Sequence, residues 1–412
     1  LSSSTPLTFC RICGNAQLVT VLDLGEQALT GRFPKDPTES LTVGPLRLVK
    51  CVGGADTCGL VQLADTYDLG EMYGDQYGYR SGLNASMVRH LSAKVAWLTQ
   101  RRPLAPGDLV LDIGSNDGTT LGQYPDFVTR LGIDPTSDKF RRFHPPGITA
   151  VADFFSAATF KQAIGERKAK IVTSISMFYD LPSPLDFVRD VASVLADDGI
   201  WHLEQSYLPL MLETNSYDTV CHEHLEFYAL RQIQWMTSRS GLRITNVQFN
   251  DVNGGSFAVT VEKGEGDDPL VAELLAKEAF LETPETWPAF RQTVADHRTQ
   301  LRATLELLKG EGKKVYGLGA STKGNVVLQY CGITSDLLAG IAEVNPDKFG
   351  SFTPGTLLPI CSEADALAQK PDVLMVLPWH FRSVFLQNQK SFLDQGGQLL
   401  FPLPLIEFVG AS

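Results

Sequence analysis

A chain of 412 residues, 43% hydrophobic and 20% charged, can bury a large core but is too long for one ordinary domain, so two or three are expected. The formal charge of −12 and pI near 5.1 exclude a basic footprint for nucleic acid, and a phosphorylated ligand would need a local cationic or amide-lined site. No run of about 18 apolar residues indicates a membrane span, and the opening LSSSTPLTFC lacks the charged and apolar regions of a signal peptide, so a cytoplasmic location is expected.

Four of the seven cysteines fall within the first 58 residues, which otherwise read as loop with short strands at LVTVLDL and PLRLVKC. In a cytosolic chain this crowding suggests metal before disulfides. The turn Cys10-Arg11-Ile12-Cys13-Gly14 points two thiolates at one centre, and Gly14 lets backbone amides approach the sulfurs. Cys51 and Cys58 complete a tetrahedral sulfur set suited to zinc, although they are separated by six residues rather than two. Four thiolates leave no open coordination position, which favours a structural role.

An amphipathic helix, MVRHLSAKVAWL, precedes a change to strand–loop–helix alternation. LVLDI, RLGID, IVTSISM and IWHLEQ read as strands, and LRITNVQFND and GSFAVTVEK form a hairpin at VNGG, giving a parallel sheet finished by a hairpin. In VLDIGSNDGTTL, Asp112 ends the strand, and Gly114 and Gly118 flank a tight turn expected to lead into a helix, with Asn116 and Asp117 inside it. Asp134 ends the next strand, where a carboxylate can accept both hydroxyls of a ribose. Asp153 and Phe154 of ADFFS offer an acceptor for an adenine amino group and a surface for its face, and Ser176 completes the candidate set. The loop lacks a full GxGxxG fingerprint, so an adenosine ligand without a pyrophosphate, S-adenosylmethionine, fits best.

The stretch YDTVCHEHLEFYAL poses a three-way choice. Glu226 stands where a His-Glu-x-x-His zinc site would need its second histidine. His222 and His224 remain open as a His-x-His ligand pair, as satisfied histidines at a helix entrance, or as acid/base groups suited to proton abstraction near neutral pH, with Glu223 orienting an imidazole or relaying a proton.

Residues 264–313 read as charged helix. A second alternating unit follows, and a boundary falls near residue 265. Its loop KKVYGLGASTKGNVVLQY is strand, glycine turn and helix, with Ser321, Thr322, Lys323 and Asn325 at the helix N-terminus. Amides plus a lysine make a diphosphate cradle, and Asn253 of the hairpin turn joins the candidate substrate-binding set.

The ordered set of zinc knuckle with CGLVQL, YGYRSG, DIGSNDGT, HEHLEFY, NGGSF and YGLGASTKGN resembles one family over essentially the whole chain: S-adenosylmethionine-dependent C-methyltransferases of nucleotide-linked keto-deoxysugars in antibiotic sugar pathways. The resemblance implies an α/β chain of three parts. A zinc-binding lobe spans 1–75, a class I methyltransferase domain 76–264, and a helical linker with a Rossmann-like domain contacting the nucleotide sugar 265–412. It implies a TDP-4-keto sugar methylated at C-3, with His224 removing the C-3 proton, Glu223 in support, and Tyr77 or Tyr79 of YGYRS donating to the developing oxyanion. His222 is carried as a further catalytic candidate. Members of the family carry a tyrosine where this chain has Cys221, and a histidine in the loop that here reads SMFYDLPSP, where Asp180 or Tyr179 stands instead. An NADPH-dependent 4-ketoreductase, alone or as a second activity, and a non-catalytic nucleotide-sugar carrier are the alternatives. The expected partner is the nucleotide sugar, without nucleic acid or membrane, and the expected state is a monomer.

Overall fold

The computed structural model describes residues 4–54, 56–67 and 80–410. Its N-terminal strands are β1 (Thr5–Pro6), β2 (Leu18–Ala28), β3 (Val43–Cys51), β4 (Val61–Leu63) and β5 (Asp65–Thr66). β2 and β3 are the two strands expected here, both longer than the apolar runs that announced them. They pair antiparallel, with register shifts between Thr20 and Leu22 and between Asp23 and Glu26.

The second sheet contains β6 (Leu109–Ile113), β7 (Thr129–Ile133), β8 (Ile148–Val151), β9 (Ala169–Ile175), β10 (Leu195–Ser206), β12 (Leu242–Asn250) and β13 (Ser256–Lys263). Its order is β12-β13-β10-β9-β6-β7-β8. β6 to β10 run parallel, and β13 enters antiparallel between β10 and β12. LVLDI is buried along its whole length, as a parallel strand covered on both faces must be. The chain moves outward from β6 through β7 to β8, then returns to place β9 on the other side of β6. That reversal opens a crevice at the carboxyl ends of β6, β7 and β9.

A helix expected after the first glycine loop is absent. The loop leads only to a 3-10 turn, Leu121–Gln123. Gly118 is left-handed at φ 76°, and Gly122 and Pro125 bracket the remaining run too closely for a stable helix. The helix Ala85–Arg101 forms as expected; Met87 and Leu91 turn inward, and the Asn84 side chain caps its first amides.

The third sheet contains β14 (Val315–Leu318), β15 (Ile341–Glu343), β16 (Ile360–Ser362), β17 (Val373–Val376), β18 (Gln398–Phe401) and β19 (Glu407–Val409), in the order β16-β15-β14-β17-β18-β19. It reverses beside β14 just as the second sheet does beside β6. The antiparallel edge strand β19 had no clear sequence signal.

The sheets are joined by strand pairing and buried polar bonds as well as by apolar contact. The two-residue strand β11 (Glu226–Phe227), directly after the HEH stretch, pairs antiparallel with β4 and so belongs to the N-terminal sheet. From the other side, the helix Thr322–Tyr330 reaches the end of β2. The amide of Gln329 accepts from Ala28 N at 2.8 Å and donates to Ala28 O at 3.1 Å. Asn325 Nδ2 donates to Thr30 O at 2.8 Å. Leu48, Val172, Tyr217, Leu301 and Leu374 belong to one connected apolar core. No helix among the described residues is long and apolar enough to cross a membrane.

Replacing Gln329 with Ala leaves both polar groups of Ala28 without their partner. The expected result is a loss of ~1–3 kcal/mol in unfolding free energy, measured by denaturant titration; an unchanged midpoint would show that this seam does not hold the lobe.

Candidate active site

A cavity of about 460 Å³ occupies the crevice beside β6. Of the residues proposed for the cofactor, Asp112, Gly114, Asn116, Asp134, Phe154 and Ser176 line it. Gly114 is left-handed at φ 73°, and a β-carbon there would meet Met177 Cγ at 2.9 Å. Asn116 is also left-handed, at φ 50°, which aims its amide at Asp134 Oδ2, 2.8 Å away. Asp134 Oδ1 accepts from the amide and the hydroxyl of Thr136, both at 2.6 Å. The acid at the end of β7 thus braces the loop that forms the cavity floor. Asp112 is buried and pushed up to about 7 by desolvation, with Thr173 Oγ1 donating to it at 2.5 Å.

Two other candidates stand outside the cavity lining. Asp117 pairs with Arg80 Nε at 3.4 Å and accepts from Gly82 N, fastening the loop to the chain before the helix Ala85–Arg101. Asp153 is exposed and accepts from the amide of Phe154. Met87, Leu91, Phe155 and Met177 supply apolar wall, and Asp180, Asp186 and Asp190 add further acids to the lining. An apolar slot with a few convergent acids fits the adenine, ribose and methionine parts of S-adenosylmethionine.

The HEH residues face different ways. His222 is buried, its ring edge-on to Tyr67 with centroids 4.7 Å apart, and desolvation holds it down to about 4. It packs against the N-terminal lobe. Glu223 lies against Gly31, where any β-carbon would strike its Oε1, and burial raises its carboxyl above the usual range. His224 turns toward the methyltransferase sheet. Its Nδ1 lies 2.8 Å from the carbonyl of Thr219, and the Tyr179 ring packs against it at a tilt of 56° with centroids 4.3 Å apart. A carbonyl can only accept, so Nδ1 carries the proton and Nε2 the lone pair. Desolvation, with the nearby Lys323 charge adding to it, holds His224 down to about 3, so the ring is neutral at ordinary pH. Tyr77 and Tyr79 lie outside the described residues.

Around His224 the structure gathers residues from distant parts of the chain. Lys323 Nζ donates to Asn253 O at 2.8 Å, and Asn253 Nδ2 reaches Ser176 Oγ at 3.4 Å. Trp379 Nε1 donates to Asp218 Oδ2 at 2.8 Å, and Gly254 packs on the Trp379 ring. His380 follows, with its Nδ1 buried and unpartnered among the described residues. Asn253 and Lys323 thus come together. Ser321 instead caps its own helix by accepting from Gly324 N, and Asn325 is committed to Thr30. Sequence reasoning missed Asp218, Trp379 and His380. The available signal was LPWHF directly after β17, the strand end where such folds place ligand-contacting residues.

Cys10, Cys13, Cys51 and Cys58 place their sulfurs within 4.8 Å of one another, with Cys10–Cys58 at 3.4 Å and Cys13–Cys51 at 3.5 Å. Tetrahedral zinc with Zn–S of about 2.3 Å needs sulfurs roughly 3.8 Å apart, so the set fits. Asn15 Nδ2 donates to Cys51 Sγ at 3.3 Å, a hydrogen bond that favours the thiolate form of a metal-ligating sulfur. Replacing Cys13 with Ser is expected to remove close to one equivalent of zinc and to lower the thermal midpoint of the N-terminal lobe, measured by elemental analysis and calorimetry; full zinc retention would refute the four-thiolate site.

The comparisons with known proteins follow the same division. Residues 10–73 match the family model "Putative zinc binding domain", 87–247 a methyltransferase domain, and 251–404 the C-methyltransferase C-terminal domain. The C-methyltransferase NovU of Streptomyces niveus is 29% identical over 416 residues, covering 99% of this chain and 98% of that one. Among solved structures, the CcbJ methyltransferase of Streptomyces caelestis aligns at 14% identity over 48% of this chain and 97% of its own, with a TM-score of 0.35. The mitomycin 7-O-methyltransferase MmcR aligns at 13% identity over 44% and 55%, also with a TM-score of 0.35. With a four-cysteine knuckle, a methyltransferase-like sheet and a C-terminal Rossmann-like unit in that order, the chain carries in sequence the three domains that those models describe: a putative zinc-binding domain, a methyltransferase domain and a C-methyltransferase C-terminal domain.

Proposed function

We propose that the protein methylates C-3 of a TDP-linked 4-keto-deoxysugar. One observation carries the reading: His224 is neutral, its tautomer is set by the Thr219 carbonyl, and its Nε2 lone pair is left to take a proton. The sugar, the carbon and the nucleotide come from the motif resemblance.

A carbonyl at C-4 acidifies the C-3 hydrogen. His224 Nε2 takes that proton, and the C–H electron pair moves into an enolate. S-adenosylmethionine, when bound, supplies the electrophilic methyl that the C-3 carbon accepts as the methyl–sulfur bond breaks. The chain's own work is to hold the base, exclude water and align carbon with methyl. Tyr179 packed against the imidazole at a tilt limits its rotation, and Glu223 of the same turn faces Gly31.

The test is mass spectrometry of a TDP-4-keto-2,6-dideoxyhexose incubated with protein and S-adenosylmethionine, with NADPH in a parallel tube. Gain of one methyl without NADPH supports the proposal. Gain of two hydrogens only with NADPH would make the protein a ketoreductase, and tight sugar binding without C-3 exchange in deuterated water would make it a carrier.

Two substitutions divide the roles. His224→Asn is expected to abolish methylation and C-3 exchange while S-adenosylmethionine still binds; normal turnover would remove it as the base. Asp134→Ala is expected to weaken S-adenosylmethionine binding by ~1–3 kcal/mol, measured by calorimetry, because both the ribose acceptor and the brace on Asn116 are lost. Unchanged affinity would dismiss the ribose assignment.

A further inference from the structure

Lys323 sits in the first turn of the helix Thr322–Tyr330, a position that by sequence alone suggests a diphosphate ligand. Its side chain points to a different task. The ammonium is turned back toward the methyltransferase sheet, where Nζ donates to Asn253 O at 2.8 Å. Asn253 is left-handed at φ 57°, and its amide reaches the hydroxyl of Ser176, itself left-handed at φ 55° and part of the cofactor cavity wall. Two hydrogen bonds therefore join the C-terminal domain's lysine to the wall of the methyl-donor site.

The charge of Lys323 is felt by His224, His380, Asp218 and Cys221, the titratable groups around it. Burial lowers Lys323 from the ordinary lysine range, and Asp218 and Cys221 act against that by favouring its charged form; in both histidines desolvation is the larger effect and the Lys323 charge adds to it. Asp218 is buried; one carboxyl oxygen takes Trp379 Nε1, and the other has no hydrogen-bond partner among the described residues. A diphosphate placed here would bring roughly two negative charges against that carboxyl in a poorly solvated site, an unfavourable pairing. One transient negative charge is easier to accommodate. An ammonium has three donors, and Asn253 takes one, so two remain.

We propose that Lys323 is a catalytic residue, donating to the C-4 oxygen as His224 removes the C-3 proton, rather than a diphosphate ligand. The role rests on the proposed function. The C–H electron pair passes to the C-4 oxygen as the enolate forms, and it returns as the new carbon–carbon bond is made. Because the ground-state carbonyl is neutral, the cation acts mainly on the transition state.

The experiment compares wild type with Lys323→Met and Lys323→Arg, using the TDP-4-keto-2,6-dideoxyhexose as substrate and TDP as competitive inhibitor. For Lys323→Met, kcat and C-3 deuterium exchange are expected to fall about 100-fold, with KM and the TDP inhibition constant within about threefold. The acid limb of kcat/KM is expected to move to higher pH, because the cation that holds His224 down is gone. Lys323→Arg is expected to recover part of the exchange rate. A rise of about tenfold or more in KM and in the TDP constant, with kcat retained, would return Lys323 to the diphosphate. A Lys323→Met enzyme exchanging at the wild-type rate would overturn the role alone. A wild-type enzyme that neither exchanges nor methylates would overturn the function and this role together.

Discussion

The carbonyl of Thr219 accepts the Nδ1 proton of His224, and the proposed chemistry depends on where that carbonyl is held. It belongs to a one-turn segment, Tyr217–Thr219, whose three residues are tied to three different parts of the chain. Tyr217 donates to His297 Nδ1 at 3.0 Å, and His297 Nε2 donates to Pro402 O at 2.6 Å, so the long helix Thr286–Gly310 and the C-terminal sheet both fix the turn. Asp218 takes Trp379, and Thr219 takes His224. All three residues are buried, and in such surroundings each polar bond must be made, because leaving a partner unsatisfied costs more than the bond contributes. The tautomer of one imidazole is therefore set by residues nearly two hundred positions away.

The two Rossmann-like units solve the same local problem in the same way. In each, the acid ending the second strand braces the glycine loop after the first. Asp134 accepts from Asn116 N at 2.8 Å, and Glu343 accepts from Ala320 N at 2.8 Å. Each also spends its other oxygen on the residues that follow it: Thr136 in one case, Val344 and Asn345 in the other. Left-handed glycines at 114 and 319 let the loops turn tightly enough to present those amides. The loops then diverge. The first floors a cavity, while the second continues into a helix that clamps Ala28 and sends Lys323 to the hairpin turn at Asn253.

The zinc-binding lobe is fused to the methyltransferase sheet rather than attached to it. Arg11, inside the knuckle, donates to Leu63 O at 2.8 Å and faces Glu226 at 3.7 Å, with both side chains almost fully buried. Burial raises the Glu226 carboxyl well above its usual range and lowers the Arg11 guanidinium, so the pair is a constraint on geometry more than a source of stability. Glu226 is also the first residue of β11, two positions after the base. A metal held by the four cysteines would bear, through Arg11 of the knuckle and Glu226, on the strand that follows His224.

Local chemistry was legible in the sequence. CxxC spacing, glycine turns at strand ends, alternating apolar strands and the VNGG hairpin state rules that operate over a few residues, so they could be read without a fold. So could the four-cysteine set and the cavity acids Asp112 and Asp134, whereas the histidines of HEH stayed open between three roles until the family resemblance singled out His224. Where local rules compete, the reading failed: Gly122 and Pro125 overruled the helix expected after DIGSNDGT. Tertiary structure alone decided direction. His222 and His224 lie two positions apart in one turn, closed by His224 N donating to Cys221 O, yet one faces Tyr67 and the other Thr219. Asn325 and Lys323 share a helical turn, yet one locks the N-terminal lobe and the other reaches the hairpin. Asp218, Trp379 and His380 became visible only when three sheets met around one turn. The physical reason is that residue type and spacing determine what a side chain can do, whereas its partner is chosen by long-range packing, which no short window of sequence contains.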